Sequence, residues 1–299
     1  MSNFPKVVAV VGTNASGKSA LGIELAKKYG GEIISADSRQ VFTGLDLGSG
    51  KVTPEEMQGV VHHMIDVREP NEFFSMADFQ KLSYAAIEDI RARGRLPMIV
   101  GGTGLYVDSV LDGYLLSDKE PDLAYRAELE KLTTPELYDM LMRLMPQAQV
   151  EKNNRNRVMR MIERIHDGDD AVPSKEKRYE SLRLGVSWPR DVLGKRIDER
   201  LERRLEQGMI EEVQGLMDRG ATTEFLLGLG LEYRFITQYL TGEIPDKKEM
   251  LDKLAIAIKQ FAKRQMTWFR RNKDIVWLDM SGDFFGQACE AIDAFLKDE

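Results

Sequence analysis

The sequence predicts an α/β fold in which a parallel sheet is flanked by helices and interrupted by an all-helical insertion. Short runs of β-prone apolar residues, such as 7–11, alternate with runs of helical periodicity, such as Leu21, Leu25 and Tyr29. This alternation is typical of parallel sheets, whose ligands bind at the carboxyl ends of the strands.

The length and the change of pattern predict two domains. With 299 residues the chain is longer than most single domains. Past Gly113 the strand pattern stops, and it resumes only at Leu182. We therefore expect a catalytic core of residues 1–114 and 182–299, with a helical insertion at 115–181.

The composition excludes several classes of protein. Hydrophobic residues make up 42% and charged residues 30%, as in an ordinary soluble globular protein. The formal net charge of −7 means that nucleic-acid binding has to rest on a local basic patch. A single cysteine, Cys289, excludes an internal disulfide, and three histidines leave no Cys/His zinc cluster. The chain begins without an apolar leader and has no long apolar run, so we expect a cytoplasmic protein with no membrane partner.

The first predicted strand runs directly into a phosphate-loop motif, Gly-x-x-x-x-Gly-Lys-Ser. Its eight residues are Gly12, Thr13, Asn14, Ala15, Ser16, Gly17, Lys18 and Ser19. Backbone N–H groups of such a loop, together with the dipole of the helix that follows, attract an anion. Lys18 adds a full positive charge, and the Ser19 hydroxyl is suited to hold a magnesium ion that bridges phosphates. The motif predicts a P-loop NTPase-like core that binds a nucleotide or a diphosphate.

Two further strands end in polar or glycine-rich loops that we expect beside the phosphate loop. The strand at 32–36 ends in Asp37, which acts either as a general base or as an aspartate that positions magnesium through water. The strand at 98–100 runs into the glycine loop 101–104. Between them lies a long polar connection, 41–75. Its histidine pair, His62 and His63, serves either structural hydrogen bonding or catalysis.

The remaining elements carry basic surfaces. A helix in the insertion places Arg157, Arg160 and Arg164 on one face, which is either solvated or in contact with phosphates. Two glycines in 228–234 break a helical pattern and suggest close backbone approach. The stretch 259–273 carries six positive charges and no acid, interleaved with aromatic residues. Positive charge beside aromatics indicates nucleic-acid binding, although an amphipathic helix that packs its aromatics into the core has the same pattern. A last strand at 275–278 and a closing helix at 284–296 complete the chain.

Taken together, these stretches resemble the tRNA dimethylallyltransferase (isopentenyltransferase) family. The matching segments, which run in order along nearly the whole chain, are 12–19, 37–40, 62–66, 101–106, 156–160, 208–213, 228–234 and 263–270. The bacterial type is implied, since the chain ends soon after its last helix without the zinc-finger extension of many eukaryotic members.

The resemblance implies transfer of a dimethylallyl group from dimethylallyl diphosphate to the exocyclic amine of the adenosine 3′-adjacent to the anticodon in tRNA, by a protein expected to act as a monomer. In this chemistry Asp37 is the general base, while Lys18, Mg²⁺ bound through Ser19 and the loop amides stabilise the leaving diphosphate. Thr103 is expected at the reacting adenosine, where it steadies the amine or the diphosphate.

The resemblance also assigns residues to the anticodon stem-loop. They are Asp37, Ser38, Arg39, Gln40, Thr103, Arg126, Asn156, Arg157, Val158, Met159, Arg160, Leu229, Gly230, Leu231, Glu232, Tyr233, Arg234, Lys263, Arg264, Gln265, Thr267, Trp268 and Arg270.

The phosphate loop departs from the usual family pattern, Gly-Pro-Thr-Ala-Ser-Gly-Lys-Thr, at Thr13, Asn14 and Ser19. Ser19 keeps the hydroxyl, whereas Asn14 changes the geometry of the side chain at its position. Three other functions share parts of the pattern: a small-molecule kinase, a transferase that acts on free AMP or ATP, and a nucleotide-gated binding protein without turnover. The basic stretch at 259–273 argues against a free nucleotide acceptor, which needs no such surface.

Overall fold

The structure, a computed structural model, describes residues 4–116, 122–169 and 174–297. Six strands form one sheet: β1 (Lys6–Gly12), β2 (Gly31–Ala36), β3 (His62–His63), β4 (Leu96–Gly101), β5 (Glu180–Ser187) and β6 (Ile275–Asp279). The strand order is β3-β2-β4-β1-β5-β6, and every neighbouring pair is parallel. The predicted α/β fold with a parallel sheet is confirmed.

The helices follow the strands or succeed one another along the chain. They are α1 (Lys18–Tyr29), α2 (Pro54–Met57), α3 (Met76–Ala92), α4 (Gly104–Leu111), α5 (Leu123–Glu130), α6 (Thr134–Leu144), α7 (Arg155–His166), α8 (Arg190–Glu206), α9 (Met209–Asp218), α10 (Thr223–Leu229), α11 (Leu231–Leu240), α12 (Lys247–Phe269) and α13 (Phe284–Lys297). Helices α8 to α12 share a hydrophobic core that includes Ile197, Val213, Tyr233 and Ile258.

The central strand β1 is buried on both faces. Val7, Ala9 and Val11 pack into the core on one side of the sheet, and Val8 and Val10 pack into the core on the other. A strand covered on both faces is apolar at every position, which explains the unbroken apolar run in the sequence. Burial of β1 fixes the point at which the chain enters the phosphate loop.

The connection at 41–75 is more regular than the sequence indicates. It contains the short helix α2 and the edge strand β3, whose two residues pair with Ile33 and Ile34 of β2. Elements of four and two residues are too short to give a periodic pattern, so the sequence predicted only an irregular segment.

Contacts divide the chain into two compact units. One consists of Met1–Asp112 and Lys177–Glu299 and contains the sheet; the other is Gly113–Glu176, compared with a predicted insertion at 115–181. Helices α5, α6 and α7 belong to the second unit, which has a hydrophobic core of its own around Leu137, Leu141 and Ile162. No helix within the described ranges is long and apolar enough to cross a membrane.

Candidate active site at the phosphate loop

The phosphate loop is folded as a cradle that opens toward the start of α1. Gly17 has a φ of 91°, and Ala15, although not a glycine, has a φ of 57°. The Ser16 hydroxyl donates to the Thr13 carbonyl at 2.8 Å, and Lys18 Nζ donates to the same carbonyl at 3.2 Å. Since no side chain caps the N-terminus of α1, its first N–H groups remain available for an anion.

Three side chains from later in the chain hold the loop from outside. Trp188 Nε1 donates to the Ser16 carbonyl at 2.9 Å, and Arg196 Nε donates to the Ala15 carbonyl at 3.0 Å. Gln265 accepts a hydrogen bond from the Asn14 N–H at 2.9 Å. The Arg196 guanidinium also stacks on the Trp188 ring, 4.7 Å from its centroid. The cradle is therefore preorganised by residues that do not belong to the motif.

Asp37 lies at the end of β2, on the same cavity as the phosphate loop. This cavity, of about 60 Å³, is lined by Asn14, Lys18, Ser19 and Asp37 among others. The Arg39 N–H donates to Asp37 Oδ1 at 2.9 Å, which orients the carboxylate. Strand order brings the two loops together, because β4 alone separates β1 from β2.

Thr103 connects the second glycine loop to the segment that carries Asp37. Its hydroxyl accepts a hydrogen bond from the Ser38 N–H at 3.2 Å, and its own N–H donates to the Ala36 carbonyl at 3.1 Å. These bonds fix the 101–104 loop directly beside 37–40. The structure thus places the predicted residues Asp37 and Thr103 within one hydrogen-bonded arrangement.

Two arginines that sequence analysis did not select complete the site. Arg200 and Arg204 of α8 line the cavity with Lys18 and Asp37. Both guanidinium groups lie against Gly50, where they occupy the space that a Cβ would fill. In the sequence, Arg196, Arg200 and Arg204 recur at four-residue spacing, which puts them on one helix face. Acidic residues are interspersed with these arginines along the chain, so no local pattern distinguishes them from ordinary surface charges.

The cavity concentrates positive charge. Burial and the nearby Arg200 lower the pKa of Lys18 to about 8. Burial and Arg204 likewise lower the pKa of Arg200 to about 9, which still leaves that guanidinium charged at neutral pH. Burial and mutual repulsion make these positive charges unfavourable in the protein alone. The cluster is therefore suited to an anionic ligand.

Glu232 provides a counter-charge inside the cluster. Its carboxylate accepts from Arg39 Nη1 at 2.7 Å and lies 3.7 Å from Arg204 Nη1. Burial acts to lower the pKa of Arg39, but Glu232 and Asp37 outweigh it, so that the pKa is raised. Glu232 therefore ties the 37–40 segment to α8.

A larger cavity, of about 510 Å³, adjoins the first at the phosphate loop. The two cavities share Lys18, Ser19, Arg200 and Arg204 among their lining residues. The phosphate loop and the two arginines therefore line both cavities. We call these shared residues the junction.

The residues at this junction suit a magnesium ion bound through phosphate. No group of three or more His, Cys, Asp or Glu side chains within the described residues could hold a metal by itself. Ser19, however, lies at the junction, and it lines the smaller cavity together with Asp37. Magnesium in phosphate sites takes few protein ligands and completes its shell with phosphate oxygens and water, so this sparse donor set fits it.

The two histidines differ in their surroundings. His63 Nε2 lies 2.8 Å from a carboxylate oxygen of Glu32, which is buried and also bound by Arg93. His62 Nδ1 lies 2.9 Å from the Val60 carbonyl, and its ring lines the smaller cavity. Burial lowers the pKa of His62. These contacts favour the structural interpretation of the pair over a catalytic one.

The residues predicted to bind RNA are placed in four regions. The 37–40 segment lies in the cavity, where the Gln40 amide bonds Ser35 and the Gly50 carbonyl. The 229–234 segment, expected to be a turn, lies mostly in α11, with Gly230 alone separating α10 from α11; Glu232 and Tyr233 are buried while Arg234 is exposed. On α12, Lys263, Arg264 and Thr267 are exposed, as is Arg270 directly after the helix; Gln265 is buried, and Trp268 donates to Asp108 at 2.8 Å.

The fourth region belongs to the helical unit. Arg126 and Arg160 both bind the buried carboxylate of Glu163, each at 3.2 Å. Asn156 and Arg157 are exposed, and the side chains of Val158 and Met159 lie in the core of the unit. Glu163 thus holds two half-exposed guanidinium groups side by side.

Comparison with known proteins identifies related sequences over nearly the whole chain. The family model described as IPP transferase matches residues 40–272. A protein of Shewanella sediminis named tRNA dimethylallyltransferase 2 is 47% identical, covering 98% of this chain and 99% of its own. The tRNA dimethylallyltransferase of Geobacillus thermodenitrificans is 40% identical, covering 92% of this chain and 91% of its own.

Solved structures agree with the sequence comparison. The crystal structure of the full-length tRNA isopentenylpyrophosphate transferase from Bacillus halodurans aligns with a TM-score of 0.74 at 40% identity, covering 97% of this chain and 95% of that one. A eukaryotic dimethylallyltransferase solved as it acts on tRNA aligns with a TM-score of 0.82 at 25% identity, covering 99% of this chain and 80% of that one.

Proposed function

This chain belongs to the IPP transferase family, and from that premise we propose that it transfers a dimethylallyl group from dimethylallyl diphosphate to the exocyclic amine of the adenosine 3′-adjacent to the anticodon in tRNA, releasing diphosphate. The observation that carries the proposal is the cavity lined by Lys18, Asp37, Arg200 and Arg204, which combines an anion cradle with a carboxylate. The relatives named tRNA dimethylallyltransferase support the same reaction.

The leaving diphosphate is the anion for which the cradle is suited. The loop amides, Lys18, Arg200 and Arg204 together offer more positive charge than the two nearby carboxylates offset. As the bond between C1 of the dimethylallyl group and its oxygen breaks, negative charge develops on the diphosphate, and fixed cations stabilise it without reorganisation. Mg²⁺ held through Ser19 and the diphosphate oxygens would supply further charge at the same place.

Asp37 accepts the proton of the incoming amine. The exocyclic nitrogen of adenosine is a poor nucleophile, so a carboxylate that hydrogen-bonds it and removes its proton as the C–N bond forms lowers the barrier. The Arg39 N–H bond holds one carboxylate oxygen. The Thr103 hydroxyl, which accepts from the N–H of Ser38 next to Asp37, would steady the amine.

Asn14 could bind the donor in place of the usual threonine. Its side-chain oxygen is buried and has no hydrogen-bond partner among the described residues. Because the amide oxygen and nitrogen are related by a half turn about the last side-chain bond, the same group can present an N–H to a diphosphate oxygen.

The RNA is proposed to bind through surface cations of two regions. On α12 and just after it these are the exposed Lys263, Arg264 and Arg270, and in the helical unit they are the exposed Arg157 and the half-exposed Arg126 and Arg160. To reach Asp37 the target adenosine has to leave its stack, at a cost of a few kcal/mol, which contacts in the cavity offset.

Mass spectrometry of nucleosides tests the proposal directly. The purified protein is incubated with magnesium, dimethylallyl diphosphate and unmodified tRNA, and the digested tRNA is expected to contain N6-dimethylallyladenosine next to the anticodon. Parallel reactions offer AMP in place of tRNA, or labelled ATP without a prenyl donor. Prenylated AMP with unmodified tRNA would contradict the choice of acceptor, and turnover of ATP alone would favour a kinase.

A further inference from the structure

Gln265 differs from its neighbours on α12. The side chains of Lys263 and Arg264 are exposed, whereas Gln265 is 8% exposed. Both ends of its amide are bonded: Oε1 accepts from the Asn14 N–H at 2.9 Å, and Nε2 donates to the Gly102 carbonyl at 2.9 Å. A buried amide with both functions satisfied has a fixed orientation.

The two partners of Gln265 belong to different loops of the site. Asn14 is in the phosphate loop after β1, and Gly102 is in the loop after β4, one residue before Thr103. Strands β1 and β4 are neighbours, with Val11 opposite Gly101. One side chain therefore connects the loop proposed to hold the prenyl donor with the loop proposed to hold the acceptor.

Gly102, Gln265 and the phosphate loop are closely packed against one another. A Cβ at Gly102 would lie 2.6 Å from Gln265 Nε2, 3.2 Å from the Gly12 carbonyl oxygen and 3.5 Å from Lys18 Cε. Displacing Gln265 is thus expected to change the separation of the two loops as well as remove hydrogen bonds.

The adjoining contacts of α12 support the same interpretation. Three residues on, Trp268 Nε1 donates to Asp108 of α4 at 2.8 Å, and its ring packs where a Cβ at Gly104 would be. Asp108 is also bound by Arg183 of β5 at 3.0 Å. The inward face of α12 therefore packs against the 101–104 loop and against α4.

We propose that Gln265 is a positioning residue that fixes the distance between the phosphate loop and the 101–104 loop, and so aligns the donor carbon with the acceptor nitrogen. The proposal rests on the proposed function for the identity of the two substrates. Misplacement of reacting groups by about 1 Å can lower a rate by roughly a hundredfold. Gln265 would act in this way without touching the RNA.

Two variants of Gln265 test the proposal. Gln265→Met keeps the length of the side chain and removes both hydrogen bonds, so we expect kcat to fall by roughly ten- to a hundredfold and the Kd for diphosphate to rise. Gln265→Glu keeps the acceptor for the Asn14 N–H, and its kcat is expected to lie between those of Gln265→Met and the wild type. For both variants the Kd for tRNA should stay within about twofold, because no RNA contact is removed. Thermal melts establish that each variant is folded.

Lys263→Ala on the same helix provides the matched contrast. Its side chain is exposed, so this change is expected to raise the Kd for tRNA and to leave the Kd for diphosphate as it is. Gly102→Ala should reproduce the effect of Gln265→Met, and the double variant should be little worse than either single one, because both changes disrupt the same contact.

Three outcomes separate this inference from the proposed function. A Gln265→Met variant that binds tRNA weakly but keeps kcat at saturating tRNA would show an RNA contact and overturn the inference, as would a variant with wild-type kcat and diphosphate affinity. A wild-type protein that makes no prenylated adenosine would overturn the proposed function. In that case diphosphate affinity, measured by calorimetry, still decides whether Gln265 shapes the phosphate loop.

Discussion

The buried positive charge of Lys18 destabilises the folded protein. Its pKa is lowered from 10.5 to about 8 by burial and by the neighbouring Arg200. A lowered pKa means that between these two values the unfolded chain binds more protons than the folded one, so the free energy of unfolding rises with pH across that window. The destabilisation is fully present below about pH 8 and is relieved above it.

Replacing Lys18 by methionine is therefore expected to stabilise the protein while abolishing diphosphate binding. The apolar stem is kept and the unfavourable charge is lost. At about 1.4 kcal/mol per pKa unit, lowering the pKa from 10.5 to about 8 corresponds to a gain of at most about 3.5 kcal/mol near neutral pH, and loss of the Lys18 hydrogen bond to the Thr13 carbonyl reduces it to about 2–3 kcal/mol. Urea unfolding of both proteins measures it. The gain should shrink as pH rises from about 8 toward 10.5. Equal stabilities at neutral pH would contradict this account.

Asp37 offers a test of the general base. Asp37→Asn keeps an acceptor for the Arg39 N–H but cannot take a proton, so kcat should fall by roughly 100- to 10,000-fold with little change in the Kd for tRNA. Single-turnover prenylation measures the chemical step. If raising the magnesium concentration restores the rate, Asp37 instead positions the metal ion through water.

Residues far apart in the chain complete the site, and these were the hardest to predict. Lys18 and Ser19 belong to a short motif whose spacing indicates their function. Arg200 and Arg204 have no motif, and their acidic neighbours gave them the pattern of a solvated helix face. Only the packing of α8 against Gly50 shows that both point into the cavity.

At the scale of elements, the end of β4 is where the backbone is most tightly constrained. A Cβ at Gly101 would overlap the Ala36 carbonyl and lie 2.6 Å from the Ala36 Cβ. Since Ala36 pairs with Gly101 across β2 and β4 and accepts the Thr103 N–H, neither strand can shift without disturbing the site.

Gly101→Ala is accordingly expected to lower the free energy of unfolding by about 3 kcal/mol or more, because the added methyl group meets backbone atoms. Gly194→Ala is the matched control. Gly194 lies inside α8 with no atom within 4 Å of an added Cβ, so alanine there should stabilise by about 0.5–1 kcal/mol. Chemical denaturation of the two variants compares them. Similar stabilities would show that β4 can relax around a side chain.

Helix α12 combines the two interpretations that the sequence left open. Its exposed face carries the cations Lys263 and Arg264, with Arg270 directly after the helix, while Phe269 is buried in the core. The basic and aromatic pattern at 259–273 therefore reflects both a core-packing face and a free basic face. Periodicity gives the faces of a helix but not what covers each one, so sequence alone could not separate them.

At the scale of the whole molecule, the division into two units suggests a division of labour that can be tested. The phosphate loop, Asp37 and Thr103 belong to the unit with the sheet, and three of the proposed RNA-binding arginines belong to the helical unit, Gly113–Glu176. The ends of that unit meet, since the Glu176 N–H donates to the Gly113 carbonyl at 2.7 Å.

Deleting residues 114–175 and joining Gly113 to Glu176 should therefore leave a core that folds cooperatively and binds diphosphate with unchanged affinity, because the cradle lies entirely in the other unit. Its affinity for tRNA should fall at least tenfold, and the slope of log K against log salt should decrease by roughly two to three as three phosphate contacts are lost. Calorimetry with diphosphate and filter binding with tRNA measure the two affinities. Unchanged tRNA affinity would remove the helical unit from the proposed RNA interface.

The sequence by itself determined the parallel α/β core, the phosphate loop and the placing of Asp37 at the same sheet edge, because apolar periodicity, a spaced motif and the rule for strand ends are all local or pairwise properties. The tertiary structure alone decided that Arg200 and Arg204 line the cavity, that Glu232 balances their charge and that Gln265 joins two loops. These residues come from helices distant in sequence, and their roles depend on which side chains meet when those helices pack, which no local pattern encodes.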